Sequence, residues 1–470
     1  MNSFGKTTLL LTAICLIGAA ALPAEDGVNP PFPDLASAEI WIDGPDNVQP
    51  PSGNFPDVAV DNEGRRIHVW FALDVTDRDD VYLRRFDADG NPLEDPKMVN
   101  TTIPDLQRFP RVAVSADGSF LVIFQSFESN SFVIRSRAYD ANGNPVGGDQ
   151  LVSTVPTGEQ VGTGADVAAL RTSDGSPGGY AVVWRNSVNI APGWGDIKMS
   201  IVSPAGVPGA ELLVNDNDLG TERNPSVTEL QDGGFLVVWT DWPHVEGRHF
   251  NSAGGPLGPE FEINTEDNAS PGGFTDSGIG WNGNVLVVWE DSGSETPPLP
   301  PTSSGEIRGR MFDADLGALG DDFRINNLFD GIQRDPRVAD FGNVGFMVVW
   351  NSDTVSAGTD TTQSVEARIV SGNNAFDANG DGLDDNQVQY NVWDNDAGQN
   401  NPGSHGWYGR LATNWQSNTW DGEPEPDTIN QIFIIGRDIE YCMFCDDFEW
   451  FSPASPGSLW RWTRVEGGAP

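Results

Sequence analysis

Lysine is nearly missing from this chain: Lys6, Lys97 and Lys198 are the only lysines among 470 residues. Bases as a class are few, 26 against 69 acids, for a formal charge of -43. Nucleic acid and anionic membrane surfaces are polyanions, so this balance excludes both as partners. It favours cations or basic partners instead. Histidine and tyrosine are scarce, four and six. His68, His244, His249 and His405 show neither HExxH nor triad spacing, which argues against the common zincin and Ser–His–Asp arrangements. Cysteine is limited to three. Cys15 lies in an apolar N-terminal segment, leaving Cys442 and Cys445 as a lone CxxC. Structural zinc needs four ligands, and no thioredoxin-like βαβ pattern surrounds the pair. A short disulfide in an oxidising compartment is the default. Past the N-terminus no apolar run is long enough to cross a membrane, and no helical period is sustained.

The N-terminal segment has the layout of a signal peptide. Lys6 supplies the positive region, Thr7 to Leu22 is apolar, and Ala19, Ala20, Ala21 and Ala24 offer small residues for cleavage. Pro23 breaks a stretch already short for a membrane span. Ile14 stands where a lipidated cysteine needs a small neighbour, so Cys15 is not a lipoprotein site. Secretion, or display at the cell surface, is the expectation.

The remainder repeats. Each unit opens on a short strand, as at Pro56-Asp57-Val58-Ala59, Pro110-Arg111-Val112-Ala113, Pro225-Ser226-Val227-Thr228 and Pro336-Arg337-Val338-Ala339, with a degenerate version at Thr275-Asp276-Ser277-Gly278. An Asp/Asn/Gly turn follows, suited to the positive φ of tight hairpins. The next strand is apolar throughout and ends in an aromatic: Trp70, Phe124, Trp184, Trp239, Trp289 and Trp350. A third strand, a second turn such as Asp87-Ala88-Asp89-Gly90, and a fourth strand ending Val99-Asn100 or Ile263-Asn264 complete it. Four antiparallel strands repeated radially describe a propeller blade. The expectation is an all-β, six-bladed β-propeller of four-stranded antiparallel blades. Its ring would close by pairing Glu39-Ile40-Trp41-Ile42-Asp43 into the sixth blade, since closure removes sheet edges. The chain then divides into a signal peptide (1–24), the propeller (39–371), a candidate calcium loop or junction (372–390) and a small aromatic-rich β module (391–470).

The P-x-V-A, DGGF-x-V-V-W and FDA-x-G-N-P pattern resembles repeats of secreted bacterial β-propeller proteins over roughly residues 39–371. That resemblance implies fold rather than function. The segment Asp377 to Asp385 is similar to the calcium loops of thrombospondin type 3 and dockerin-like repeats. The similarity implies Ca2+ held by Asp377, Asn379, Asp381 and Asp385 with the Leu383 carbonyl. Val388 stands where the usual twelfth-position glutamate would be, and Phe376 to Asn391 also aligns with the hairpin segment Phe86 to Asn100.

Loops joining second and third strands vary most in length and carry Asp77, Asp79, Asp80, Asp241, Glu246, Asp291 and Asp353. Variable loops on a rigid scaffold commonly bind partners. The expected function is therefore a monomeric, non-enzymatic binding or adhesion scaffold for a protein or glycan ligand on that loop face. The alternative is an extracellular polysaccharide-acting hydrolase or lyase with its site in the propeller mouth. Arg, Glu and aromatic side chains clustered in the central channel would favour the enzyme; a channel lined by small first-strand residues would favour the scaffold. Arginines recur on third strands at Arg84, Arg137, Arg248, Arg310 and Arg368, where an outer salt-bridge ladder is expected.

Overall fold

The computed structural model describes residues 40–41, 54–73, 79–101, 106–129, 131–153, 164–186, 195–216, 222–265, 271–280, 282–291, 305–326, 332–340, 345–355, 361–371, 390–394, 410–415, 429–435 and 439–444. Within them the chain is all β, arranged as seven four-stranded antiparallel sheets. Six are meanders in chain order. Sheet one, for example, runs Asn54–Val60, Arg66–Leu73, Asp79–Phe86 and Lys97–Met98.

The continuous apolar second strands are buried on both faces. Phe235, Leu236, Val237 and Val238 are fully covered, as are Trp70, Trp184, Trp239, Trp289 and Trp350. These tryptophans are core, and truncating one to alanine would cost about 3–5 kcal/mol. The recurrent Val-Asn or Ile-Asn ending also has a structural purpose. Asn100, Asn215, Asn264 and Asn326 are buried, and each side-chain oxygen accepts the N–H at the start of its third strand, from Val81, Ile197, Val245 and Ile307. The Asp-rich turns satisfy themselves: Asp140 Oδ1 accepts from the N–H groups of Asn142 and Asn144. A further bond, donated by Asn144 Nδ2 to Oδ2, leads these two in holding its carboxyl below the ordinary value.

Third-strand arginines tie neighbouring sheets together. Arg137, Arg248, Arg310 and Arg368 each donate Nη1 to a fourth-strand carbonyl of the preceding sheet, that of Val99, Val214, Ile263 or Ile325. Three of them also lie over an aromatic ring, that of Tyr139, Phe250 or Phe312. Of the expected acid–arginine ladder, Arg248 keeps an ion pair with Asp216 at 2.7 Å, but the partner that all four share is the carbonyl. The carbonyls are fixed by the sheet, whereas exposed ion pairs contribute little.

The first strands are Asn54–Val60, Gln107–Val114, Ala165–Arg171, Arg223–Glu229, Pro271–Ile279, Ile332–Asp340 and Arg410–Trp415. Each packs against the next, and the seventh packs against both the sixth and the first. The sheets therefore follow one another in a propeller-like circuit.

Six blades and closure in the sixth are both corrected here. The outer edge of sheet six is taken by Tyr390–Asp394, paired to the third strand at Ala367↔Tyr390. The N-terminal strand Ile40–Trp41 instead pairs with Ile439–Phe444, which follows Ile429–Ile435 and Arg410–Trp415. Three strands of the aromatic tail thus form a seventh sheet, and its free edge receives the N-terminal strand. The expected boundary at residue 371 falls between two paired strands of sheet six, Thr361–Ser371 and Tyr390–Asp394.

Candidate functional site: the channel mouth

First strands begin on the face that carries the second-to-third strand connections. Asn54 lies opposite Phe71, near the end of its second strand. In five sheets the register slips just inside this face, for instance between Asn54 and Asp57, Arg108 and Arg111, and Arg334 and Arg337. In four of them the residue before proline has positive φ: Phe55 (48°), Phe109 (52°), Asn224 (49°) and Asp335 (54°). Each such residue costs about 1 kcal/mol or more. Bulges of this kind re-aim a side chain out of the ladder.

The re-aimed residues differ around the ring. On one side Phe55 stacks on Phe71 (5.6 Å between centroids) and meets Phe109 edge-on (4.7 Å). Both Phe55 and Phe109 stay half-buried. On another side stands an acid pair. Asp335 is 5% exposed; its Oδ2 accepts from Asn351 Nδ2 at 3.2 Å, while Oδ1 has no hydrogen-bond partner in the protein. Its backbone N–H donates to the carboxylate of Glu290, at the end of the second strand of sheet five. Burial pushes Glu290 up to about 7; the Asp335 charge adds to this, and the Asp335 N–H and Arg334 oppose it. Gly273 makes the room: a Cβ there would lie 2.0 Å from Glu290 Oε2. Asn224 Nδ2 pins that glycine through its carbonyl at 2.9 Å.

Two residues further down the strands lies a charged belt. The same repeat position holds Asp57, Arg111, Asp166, Ser226, Asp276 and Arg337, which face Val69, Ile123, Val183, Val238, Val288 and Val349 across their hairpins. The aspartates of sheets one, three and five reach forward to a backbone N–H of the next sheet, at Val112, Val227 and Val338, each at 2.9 Å. Ser226 Oγ donates to Asp276 Oδ1 at 3.0 Å. Arg111 and Arg337 each bond the carbonyl of their own preceding proline. Burial pushes Arg111 below its ordinary value, against Asp57 and with Arg337. Burial raises Asp276, with Arg337 opposing and Asp166 adding. The next layer is small, with Ala59, Ala113, Ala168, Thr228, Gly278 and Ala339.

The residues singled out from sequence fare unevenly. Asp79, Asp80 and Asp291 are buried rather than displayed on loops. Asp79 pairs with Arg108, and Asp80 accepts from Asn100. Asn351 to Ser364, a loop by its sequence, is largely strand, because pairing of the second and third strands of sheet six continues to Val355↔Thr361. His68 is fully buried, edge-on to Phe86. Asp77, Asp377, Asn379, Asp381, Leu383, Asp385 and Cys445 lie outside the described residues. The calcium segment falls between the third and fourth strands of sheet six, the place its alignment with the FDA-x-G hairpin gives it.

Two other carboxyls are pushed up to about 7. Glu222 owes this to burial, then to neighbours led by Asp241; Glu246 owes it to burial, then to Glu260 and Glu262. Both belong to sheet four, where Glu246 lies opposite Glu262 on the outer pair of strands. Among the described residues no group of His, Cys, Asp and Glu could hold a metal ion.

No family model matches the sequence, and no curated protein matches it. Solved structures resemble the fold at low identity. A protein of unknown function from Dyadobacter fermentans is 10% identical, with a TM-score of 0.47 over 70% of this chain and 98% of its own. An α-L-arabinofuranosidase from Fusarium graminearum is 13% identical, with a TM-score of 0.45 over 87% of this chain and 97% of its own. An α-L-arabinanase from Penicillium chrysogenum is 15% identical, with a TM-score of 0.44 over 71% and 98%. Likeness at this level says nothing about activity in this chain.

Proposed function

We propose that this protein is a glycan-acting hydrolase whose reaction takes place at the channel mouth of a closed, seven-bladed propeller. The observation that carries the reading is the Glu290–Asp335 pair: two carboxyl groups joined through the Asp335 N–H, one raised to about 7 and the other with an unpartnered oxygen. Glycosidic cleavage uses such a pair in unequal roles. Near neutral pH, Glu290 carries a proton that it can give to the leaving oxygen. Asp335 keeps an acceptor oxygen to activate water or to meet the developing positive charge. Phe55 and Phe109 offer apolar faces against which a sugar ring can stack. This arrangement of arginine, acid and aromatic groups supports the enzyme over the scaffold, because several loop carboxylates the scaffold needed are buried. Export directed by residues 1–24 would place the enzyme where polysaccharide is met.

The test is chemical. Purified mature protein is incubated with reducing-end-labelled neutral and acidic oligosaccharides. Glu290→Gln and Asp335→Asn are each expected to lower hydrolysis at least 100-fold while leaving the fold intact. Hydrolysis that survives both substitutions would move the site elsewhere.

A further inference from the structure

The belt below the acid pair has a composition that selects a ligand. We infer that it is a subsite for one neutral glycosyl unit, held through its hydroxyls. The inference rests on the hydrolase reading and names the substrate class.

Three aspartates, two arginines and a serine share one repeat position around six sheets, so their side chains converge on the channel. Arg111 and Arg337 are close enough to Asp276 to feel its charge. Even so, neither forms a salt bridge among the described residues. Each guanidinium instead spends Nη1 on its own proline carbonyl, at 2.9 and 2.8 Å. Their remaining N–H groups are therefore donors held at fixed positions. Each aspartate spends one oxygen on a neighbouring amide, and Asp276 spends its second on Ser226. Asp166 keeps an oxygen that can accept.

Charge then decides between ligands. An anion entering here would meet three carboxylates in the belt and Asp335 above it. A cation would meet two guanidiniums, one of them only 5% exposed. A neutral polyol meets neither penalty. Its O–H groups donate to carboxylate oxygens, and its oxygens accept from the guanidinium fork. Depth agrees with this. Arg337 lies two residues below Asp335, at most roughly 6–7 Å along the strand, because the bulge between Arg334 and Arg337 shortens the rise. One sugar ring seated in the belt therefore carries its glycosidic linkage up to Glu290 and Asp335. The small layer beneath carries one hydroxyl, that of Thr228, which already donates to the Ser277 carbonyl, so it offers little to a second unit.

Calorimetric titration tests this on the mature protein and on Glu290→Gln. The probes are neutral pentose and hexose oligosaccharides, galacturonate oligosaccharides and glucosamine oligosaccharides. A neutral probe is expected to bind both proteins more tightly than either charged class. Asp166→Asn preserves an acceptor for the Val227 N–H but loses the charge, and Arg111→Lys preserves charge but loses the fork. Each is expected to weaken neutral-probe binding at least tenfold, with KM rising more than kcat falls. If Arg111→Lys does not fold, Asp166→Asn decides alone. Preference for a charged probe, wild-type binding in the folded variants, or binding of no probe would each overturn the subsite. Neutral binding without hydrolysis would instead refute the hydrolase reading and leave the subsite standing.

Discussion

Glu222 stands where two other sheets use glutamine, and this sets up a test of how burial shapes stability. Gln107 and Gln333 are fully buried, and each donates Nε2 to a second-strand serine, Ser126 or Ser352. Glu222 is 1% exposed, accepts from Asn215 at 3.4 Å, and leaves Oε2 without a partner. Extending the Arg223↔Thr240 register by one pair puts Asp241 where those serines stand. Burial raises the Glu222 carboxyl from 4.5 to about 7. Below pH 4.5 it is protonated both folded and unfolded, and costs nothing. Between 4.5 and 7 the unfolded chain ionises while the folded one holds its proton, so stability falls as pH rises. The slope is about 1.4 kcal/mol per pH unit, giving a full cost of about 3 kcal/mol above pH 7. Glu222→Gln removes the titration and supplies an N–H2 donor facing Asp241. It should therefore stabilise the protein by about 2–3 kcal/mol at pH 8 and by little at pH 4. Calorimetric melting of both proteins from pH 4 to 8 measures the difference. A gap that stays constant with pH would refute the reasoning, because a packing effect does not titrate.

Three further outcomes are expected. Deleting residues 25–36 should leave the melting temperature unchanged, whereas deleting 25–44 removes the partner of Ile439–Phe444 and should lower it; equal melting temperatures would sink the closure described here. Gly273 has no positive φ, so alanine there is resisted by the Glu290 side chain, whose carboxylate and Cβ the new methyl would overlap. Gly273→Ala should cost about 1–3 kcal/mol in denaturant titration and lower hydrolysis at least tenfold, and retained activity would show the carboxylate does not act from that position. Calcium proposed at Asp377 to Asp385 should give binding heat with the wild type and none with Asp377→Ala combined with Asp381→Ala; equal heats would make the segment a plain hairpin.

Much of this structure could be read from the sequence because the repeat marks it at every level. Asn100 and its counterparts clamp third strands, the tryptophans fill sheet interiors, and Asp140 closes its own turn. The seventh sheet escaped because its first strand, Arg410–Trp415, lacks the proline opening, and its second, Ile429–Ile435, lacks the terminal aromatic of the others. Residues 372–389 also separate the third and fourth strands of sheet six, which hid Tyr390–Asp394 and left the N-terminal strand as the apparent candidate. The acid pair was lost among 69 carboxylates. Its signals were departures from the repeat. Asp335 precedes proline where Phe55 and Phe109 stand elsewhere, and the degenerate unit that supplies Asp276 also supplies Gly273. A local break in a regular pattern is where function tends to sit.

The central claim is that Glu290 acts as the acid at the channel mouth. The pH dependence of kcat/KM for a neutral oligosaccharide that the protein hydrolyses tests it most directly. A carboxyl raised to about 7 delivers its proton only below that value. The rate should therefore hold up to about pH 7 and fall about tenfold per unit above it, and Glu290→Gln should abolish this dependence together with the activity. A rate that keeps rising from pH 6 to 9, or one that Glu290→Gln leaves intact, would contradict the claim.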